Sequence, residues 1–175
     1  MKIYQVRSDN YTDQLYSLNK KYNSISFFRL IAVVFFLVAL YYFVQTDENY
    51  WGGLAFISFV TFLILMRYHS KLLIQKQLLQ ALVEVNENEI AYLNREKIPF
   101  GEGLEFNDFN HPYSYDLDIF GAHSLFQNLN RTATFIGKKT LAERLTTILS
   151  NDEIEENQAA IQELRDKLDW RQEFL

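Results

Sequence analysis

The sequence predicts a mainly α-helical membrane protein: a two-helix transmembrane hairpin, a cytoplasmic helical stalk, a short irregular or β junction, and then further helices. Three observations carry that prediction. Two apolar runs of membrane length stand five residues apart, at 27–44 and 50–66. Neither proline nor glycine interrupts the chain from Leu54 until Pro99. Beyond Pro99, turn-forming residues give way to segments with helix-capping signals.

Residues 1–26 form a cytoplasmic N-terminal helical segment, in which Tyr11, Leu15, Leu18 and Tyr22 make a short stripe of helical period. The first span reads FFRLIAVVFFLVALYYFV and the second YWGGLAFISFVTFLILM, with Arg29 as the sole charge in either. At about 1.5 Å per residue they reach roughly 25 to 27 Å, close to the ~30 Å hydrocarbon core. Arg29, one turn in, can snorkel to the headgroups. Buried helices of a globular protein normally keep a polar stripe, and these runs have none. Tyr41, Tyr42, Tyr50, Trp51 and Tyr68 gather at the run ends, where amphipathic rings favour the interface. The mean hydropathy of −0.15 conceals all of this by averaging over the whole chain.

Lys20, Lys21 and Arg29 lie at the start of the first span, Arg67, Lys71 and Lys76 follow the second, and the QTDEN loop holds only acids. The positive-inside rule therefore predicts the cytoplasmic membrane of a cell as the location, with both termini in the cytoplasm. The Asn10-Tyr11-Thr12 and Asn130-Arg131-Thr132 sequons would then meet no glycosylation machinery. An apolar run that starts some 26 residues in, with a second close behind, is unlike a cleaved signal peptide.

Residues 67–98 read as the stalk. Leu72, Leu79, Val83, Ile90 and Leu93 fall on one seam with Lys76 and Asn86, and Leu78, Leu82, Val85 and Tyr92 widen it. Such a stripe requires a partner, either residues 1–26 or a second copy of the chain. At 99–115, Pro99, Gly101, Gly103, Asn107, Asn110 and Pro112 break the helix, and the aromatics Phe106, Phe109, Tyr113 and Tyr115 predict short extended pieces. Helices follow at about 123–130, 135–149 and 152 to the end. Thr134 is the expected N-cap of the second, and Ser150 with Glu153 spells a capping box for the third. Ile154, Ile161, Leu164, Leu168 and Leu175 line the third at heptad-like spacing, and its WRQEFL ending, with no stop signal, suggests packing against further sequence.

Zero cysteines exclude disulfides and thiolate chemistry, and three scattered histidines make a histidine metal site improbable. Nine acids against Arg95 and Lys97 over residues 84–118 would repel nucleic acid there. Gly137-Lys138-Lys139-Thr140 resembles the end of a GxxxxGK[ST] loop, but Thr132 holds the first glycine's place and Lys139 the hydroxyl's, so a first helical turn is the better reading. Asp116 and Asp118 would share a face on a strand, but no third ligand accompanies them; loop aspartates accepting backbone hydrogen bonds are expected. His111 is expected in a turn. Arg131, Lys138, Lys139 and Arg144 form a modest basic patch that a solvated helix face explains equally well. No catalytic, cofactor-binding or metal site is expected in these residues.

The run DLDIFGAHSLFQNLNRTATFIGKKTLAERL from Asp116, with NQAAIQEL after it, resembles the start of the core or lever region of the MutS family of DNA mismatch repair ATPases. The residues that carry the resemblance are Ser124, Leu125, Phe126, Asn130, Arg131, Thr132, Thr134, Gly137, Leu141, Leu145, Gln158, Ala159, Ile161, Glu163 and Leu164. Asp116, Asp118 and Gly121 of DLDIFG, with the LNRT wording, look like the membrane-attached bacterial MutS-related proteins, which also have an N-terminal hydrophobic hairpin. The sequence departs from the family pattern at Lys139, Arg144, Leu149-Ser150 and Asn157. The resemblance implies that 99–175 begins a MutS-like core whose matched positions are structural, and that the full-length protein is a dimeric ATPase using ATP and magnesium and contacting DNA through regions outside this chain. Phe100-Gly101-Glu102 resembles the family's mismatch wedge as a tripeptide only, so mismatch recognition is not carried over. The alternative from another class is a membrane scaffold or signalling adaptor that dimerises through its stalk.

Overall fold

The computed structural model describes residues 1–46 and 48–174. Among them lie six α-helices and no strand: α1 (Lys2–Thr46), α2 (Asn49–Leu93), α3 (Leu125–Leu129), α4 (Phe135–Thr146), α5 (Asn151–Arg165) and α6 (Leu168–Glu173), with a 3₁₀ turn at Leu104–Phe106. The chain divides into two compact units, Met1–Ile90 and Ala91–Leu175. Each is described separately.

In the first unit, α1 and α2 are both 45 residues long. At about 1.5 Å per residue each is roughly 67 Å, over twice a ~30 Å hydrocarbon core. The expected N-terminal segment and first span are thus one continuous helix, and the second span and stalk are another. The helices pair antiparallel, as the stepping of contacts shows: Tyr42 stacks on Trp51 at 4.8 Å, Phe36 meets Phe59 at 5.8 Å, and Tyr22 meets His69 at 4.1 Å. Small residues allow the approach. Ala32, Ala39 and Ala55 are buried, and the Ser58 hydroxyl donates to the Ala32 carbonyl at 2.8 Å. Lys76 lies over the Tyr22 ring at 5.2 Å, so the early part of α1 packs on the stalk part of α2. Residues 1–26, one of the two partners the sequence left open for the stalk stripe, thus lie against part of it.

The outward surfaces of 27–44 and 50–66 together form an apolar belt; only 11% and 6% of the most apolar stretches of α1 and α2 are buried. Both helices are long and apolar enough to cross a membrane.

Helix α2 ends in the second unit by a Schellman closure. The Glu96 amide donates to the Ala91 carbonyl and the Arg95 amide to that of Tyr92, with Arg95 in the left-handed region at φ 60°. An arginine occupies the position where glycine is usual, so the sequence carries no stop signal before Pro99.

The expected extended pieces at 99–115 are turns. Backbone bonds there and just beyond are local, from His111 to Asp108, Leu117 to Tyr113 and Ile119 to Ser114; positive φ at Gly103, and past the segment at Asp118, Gly121 and His123, keeps the chain coiled rather than pleated. Phe106 and Phe120 are therefore held 5.9 and 5.3 Å from the ring of Phe126. Phe126 is fully buried at the centre of a small core with Ile119, Phe120 and Ala142, flanked by Phe106, Leu141 and Leu145.

Thr134 caps α4 as expected, accepting from the Gly137 amide, and the Ser150–Glu153 capping box starts α5. The box, through the Ser150 amide first and its hydroxyl second, holds the Glu153 carboxyl below its ordinary range. Helix α4 stops at Thr146, short of the expected 149, and the third expected helix breaks at Asp166–Lys167, where the Lys167 amide turns back to the Leu164 carbonyl. No proline or glycine marks that break.

Phe126→Ala is expected to lower the stability of the second unit by about 3–5 kcal/mol, and Thr134→Ala by about 1 kcal/mol. Urea unfolding followed by hydrogen exchange in α3 and α4 measures both, and equal small losses would contradict the placement of the core.

Candidate functional site

Of the family-like residues, Gln158, Ala159, Ile161, Glu163 and Leu164 lie on α5, which buries none of its residues. Ser124, Asn130, Arg131 and Thr132 stand on and around α3, a five-residue helix too short to persist alone. Ser124 begins it, its buried hydroxyl accepting from the Gln127 amide at 3.1 Å. The buried Gln127 side chain then binds three backbone groups: its oxygen accepts from the His123 amide at 2.6 Å, and its nitrogen donates to the carbonyls of Phe100 and Ile98 at 3.0 and 3.4 Å. Asn128 accepts from the Tyr92 hydroxyl at 3.0 Å. Asn130, also buried, donates to the Gly101 carbonyl at 3.1 Å and accepts from the Thr132 hydroxyl and amide at 2.7 and 3.1 Å.

Three consecutive features thus clamp the 92–101 segment to α3 and hand the chain on to α4. Arg131 completes the clamp. Its guanidinium lies 3.3 Å from the Phe100 ring centroid and 4.8 Å from that of Tyr92, and donates to the Asn128 carbonyl at 2.9 Å. Gly121, at φ 114°, donates its amide to the Glu102 carbonyl at 2.9 Å. Gly103, at φ 70°, lies against the Phe126 ring, which a Cβ would meet at 2.6 Å. A Cβ on Gly137 would crowd the capping Thr134 hydroxyl at 3.2 Å.

The chemistry of this arrangement is cohesive. Lys138 pairs with Glu105 at 3.3 Å and Lys139 with Glu143 at 3.6 Å, so both lysines of the GKKT segment have carboxylate partners. The Glu105 carboxyl sits below its ordinary range, owing first to its own backbone amide and then to Lys138. GKKT itself forms the opening turns of α4, and no glycine-rich backbone wraps around it. These residues do not fit the phosphates of ATP or their magnesium, and no step is assigned to either.

Asp116 and Asp118 are exposed and stand in a turn. The part Asp118 plays is through its backbone, with φ 47° and a carbonyl that accepts from the Leu125 amide at 3.4 Å; the expected role for its carboxylate is replaced by that main-chain bond. Among the described residues, no three His, Asp or Glu side chains are placed to share a metal. His111 occupies a turn, as the sequence indicates. Its Nδ1 faces the Ser114 amide at 3.2 Å and its Nε2 the Thr146 carbonyl at 2.9 Å, an arrangement that fits a proton on Nε2. Phe100 of the Phe-Gly-Glu tripeptide is half-buried beneath Arg131 and does not project as a wedge.

Gln127 and Asn128 were not singled out by the sequence, and Tyr92 and Gly103 were read only as a stalk-stripe residue and a helix breaker. Their partners lie far away along the chain, and the one local signal was a glutamine and two asparagines in a short segment between apolar residues. No protein-family model, curated protein or solved structure matches the chain.

Asn130→Ala is expected to cost about 1–3 kcal/mol, because it leaves the Gly101 carbonyl and the Thr132 groups without a partner. Asp116→Asn, on an exposed turn, is expected to stay within about 0.5 kcal/mol. Urea denaturation of the two variants side by side checks the contrast, and its reversal would show Asp116 rather than Asn130 to be the structural residue.

Proposed function

We propose that this chain is the membrane-anchoring part of a MutS-related ATPase, its hairpin crossing the cytoplasmic membrane twice with both termini in the cytoplasm. The observation that carries the anchoring is the apolar belt. Twenty-one large apolar side chains between Phe27 and Met66 are exposed. Each forgoes up to about 1.5–3 kcal/mol in water, so together they would lose tens of kcal/mol against a net stability of about 5–15 kcal/mol. Lipid covers such a belt at no cost to the backbone, whose hydrogen bonds are all made inside each helix. Basic flanks at the non-loop ends of both spans support the orientation.

The ATPase reading rests on the family-like string from Asp116 to Leu164. Its residues 116–146 build a self-capped structural unit around Phe126, in keeping with the structural role these positions have in the resemblance. The unit is tethered by the hairpin; ATP, magnesium and DNA belong to regions outside these residues, and the active species is a homodimer. A scaffold or signalling adaptor is the second reading. It draws on α5, which has no buried residue and leaves Ile161 68% exposed, a face suited to a protein partner.

The coding sequence downstream of codon 175 separates the two. Continuation into GxxxxGK[ST] and an acidic metal-binding strand, with salt-sensitive DNA retention by the encoded protein, is the expected result. A stop codon directly after Leu175, or a full-length protein that neither hydrolyses ATP nor retains DNA, would remove the ATPase reading and leave the adaptor.

A further inference from the structure

Between Gln14 and Thr46 on α1, and between Asn49 and Val83 on α2, the chain has six basic residues and no acidic one: Lys20, Lys21, Arg29, Arg67, Lys71 and Lys76. A groove of about 530 Å³ opens at one of them, Arg29, polar at one end with Asn23, Ser26 and Arg29 and apolar at the other with Leu30, Val33 and Phe62. Arg29 reaches across to α2, its guanidinium 5.7 Å from the Phe62 ring, yet its buried Nε meets no acceptor among the described residues. A desolvated guanidinium N–H without an acceptor is costly, and a bidentate oxyanion is the group that its fork of donors fits best.

We infer that this groove is a binding site for an anionic phospholipid, with the headgroup phosphate on Arg29, Asn23 and Ser26 and an acyl chain along Leu30, Val33 and Phe62. The inference rests on the membrane reading, and the depth agrees with it. Arg29 lies two residues inside the first span, about 3 Å along the helix, at the level where headgroup phosphates and snorkelling cations meet. Charge selects the lipid. A zwitterionic headgroup would bring its own cation up to Arg29 on a stretch of both helices that has no acid, whereas an anionic one neutralises the guanidinium.

The full chain is tested in nanodiscs and in neutral detergent. In nanodiscs of mixed phosphatidylglycerol and phosphatidylcholine, native mass spectrometry is expected to find phosphatidylglycerol retained over phosphatidylcholine by at least about fivefold. Arg29→Leu is expected to abolish the preference, Arg29→Lys to keep part of it, and Lys20→Gln to change it less than about twofold, with circular dichroism verifying that each variant keeps its helices. In detergent, phosphatidylglycerol is expected to raise the unfolding midpoint, and inorganic phosphate at equal concentration to leave it unchanged. An equal rise with inorganic phosphate would assign the groove to the free ion and overturn the lipid assignment. Wild-type chain that enters nanodiscs but shows no preference, or an Arg29→Leu variant that retains it, would overturn this site alone. Chain that does not enter nanodiscs would overturn the membrane reading along with it.

Discussion

Every peptide group between Phe27 and Met66 needs a hydrogen-bond partner, while nearly every side chain there favours an apolar environment. A helix meets the first demand internally, and two helices side by side, each exposing apolar residues on its outer face, meet the second when hydrocarbon surrounds them. Much else in the first unit follows from this constraint. The contacts between α1 and α2 rely on alanines, a serine-to-carbonyl bond and offset aromatic rings, the kind of packing that suits a lipid environment, where pairing one apolar helix with another brings no hydrophobic gain. Apart from Arg29, and from Asp47 and Glu48 between the two runs, the charged residues lie before Phe27 or after Met66, where the same helices continue with Tyr22 packed on His69 and beneath Lys76.

The second unit solves a different problem. Its core is one fully buried phenylalanine with six neighbours, too little apolar area to fix so many turns unaided. Polar side chains supply the remaining order. Gln127 and Asn130 together bind the backbone of residues 98–101, and Arg131 closes the segment from outside by lying on Phe100. Buried amides satisfied in this way specify one arrangement, because a shifted register leaves a carbonyl or an N–H without a partner. A structural role explains Ser124, Asn130, Arg131 and Thr134 without a ligand.

What the sequence revealed follows the range of the interactions. The spans, the Thr134 cap and the Ser150–Glu153 box depend on residues within a few positions of one another, and each was legible. The end of α2 was not, because Arg95 takes a left-handed conformation more typical of glycine. The aromatics of 99–115 pointed to strands, yet their spacing serves a coiled run of turns that delivers Phe106 to Phe126. Asp116 and Asp118 stood out as a chemical pair, while Gln127, which holds more backbone than either, did not. Its importance depends on Ile98 and Phe100, almost thirty residues away, a separation at which local pattern carries no information.

The absence of native cysteines offers a direct measurement of the hairpin, since single cysteines can be placed in an otherwise unreactive chain. In intact cells, a membrane-impermeant maleimide should label Glu48→Cys, and should label Lys71→Cys and Asp152→Cys only after the membrane is permeabilised. Labelling of Lys71→Cys or Asp152→Cys from outside, or recovery of the chain in the soluble fraction, would contradict a hairpin that crosses the membrane with both ends in the cytoplasm.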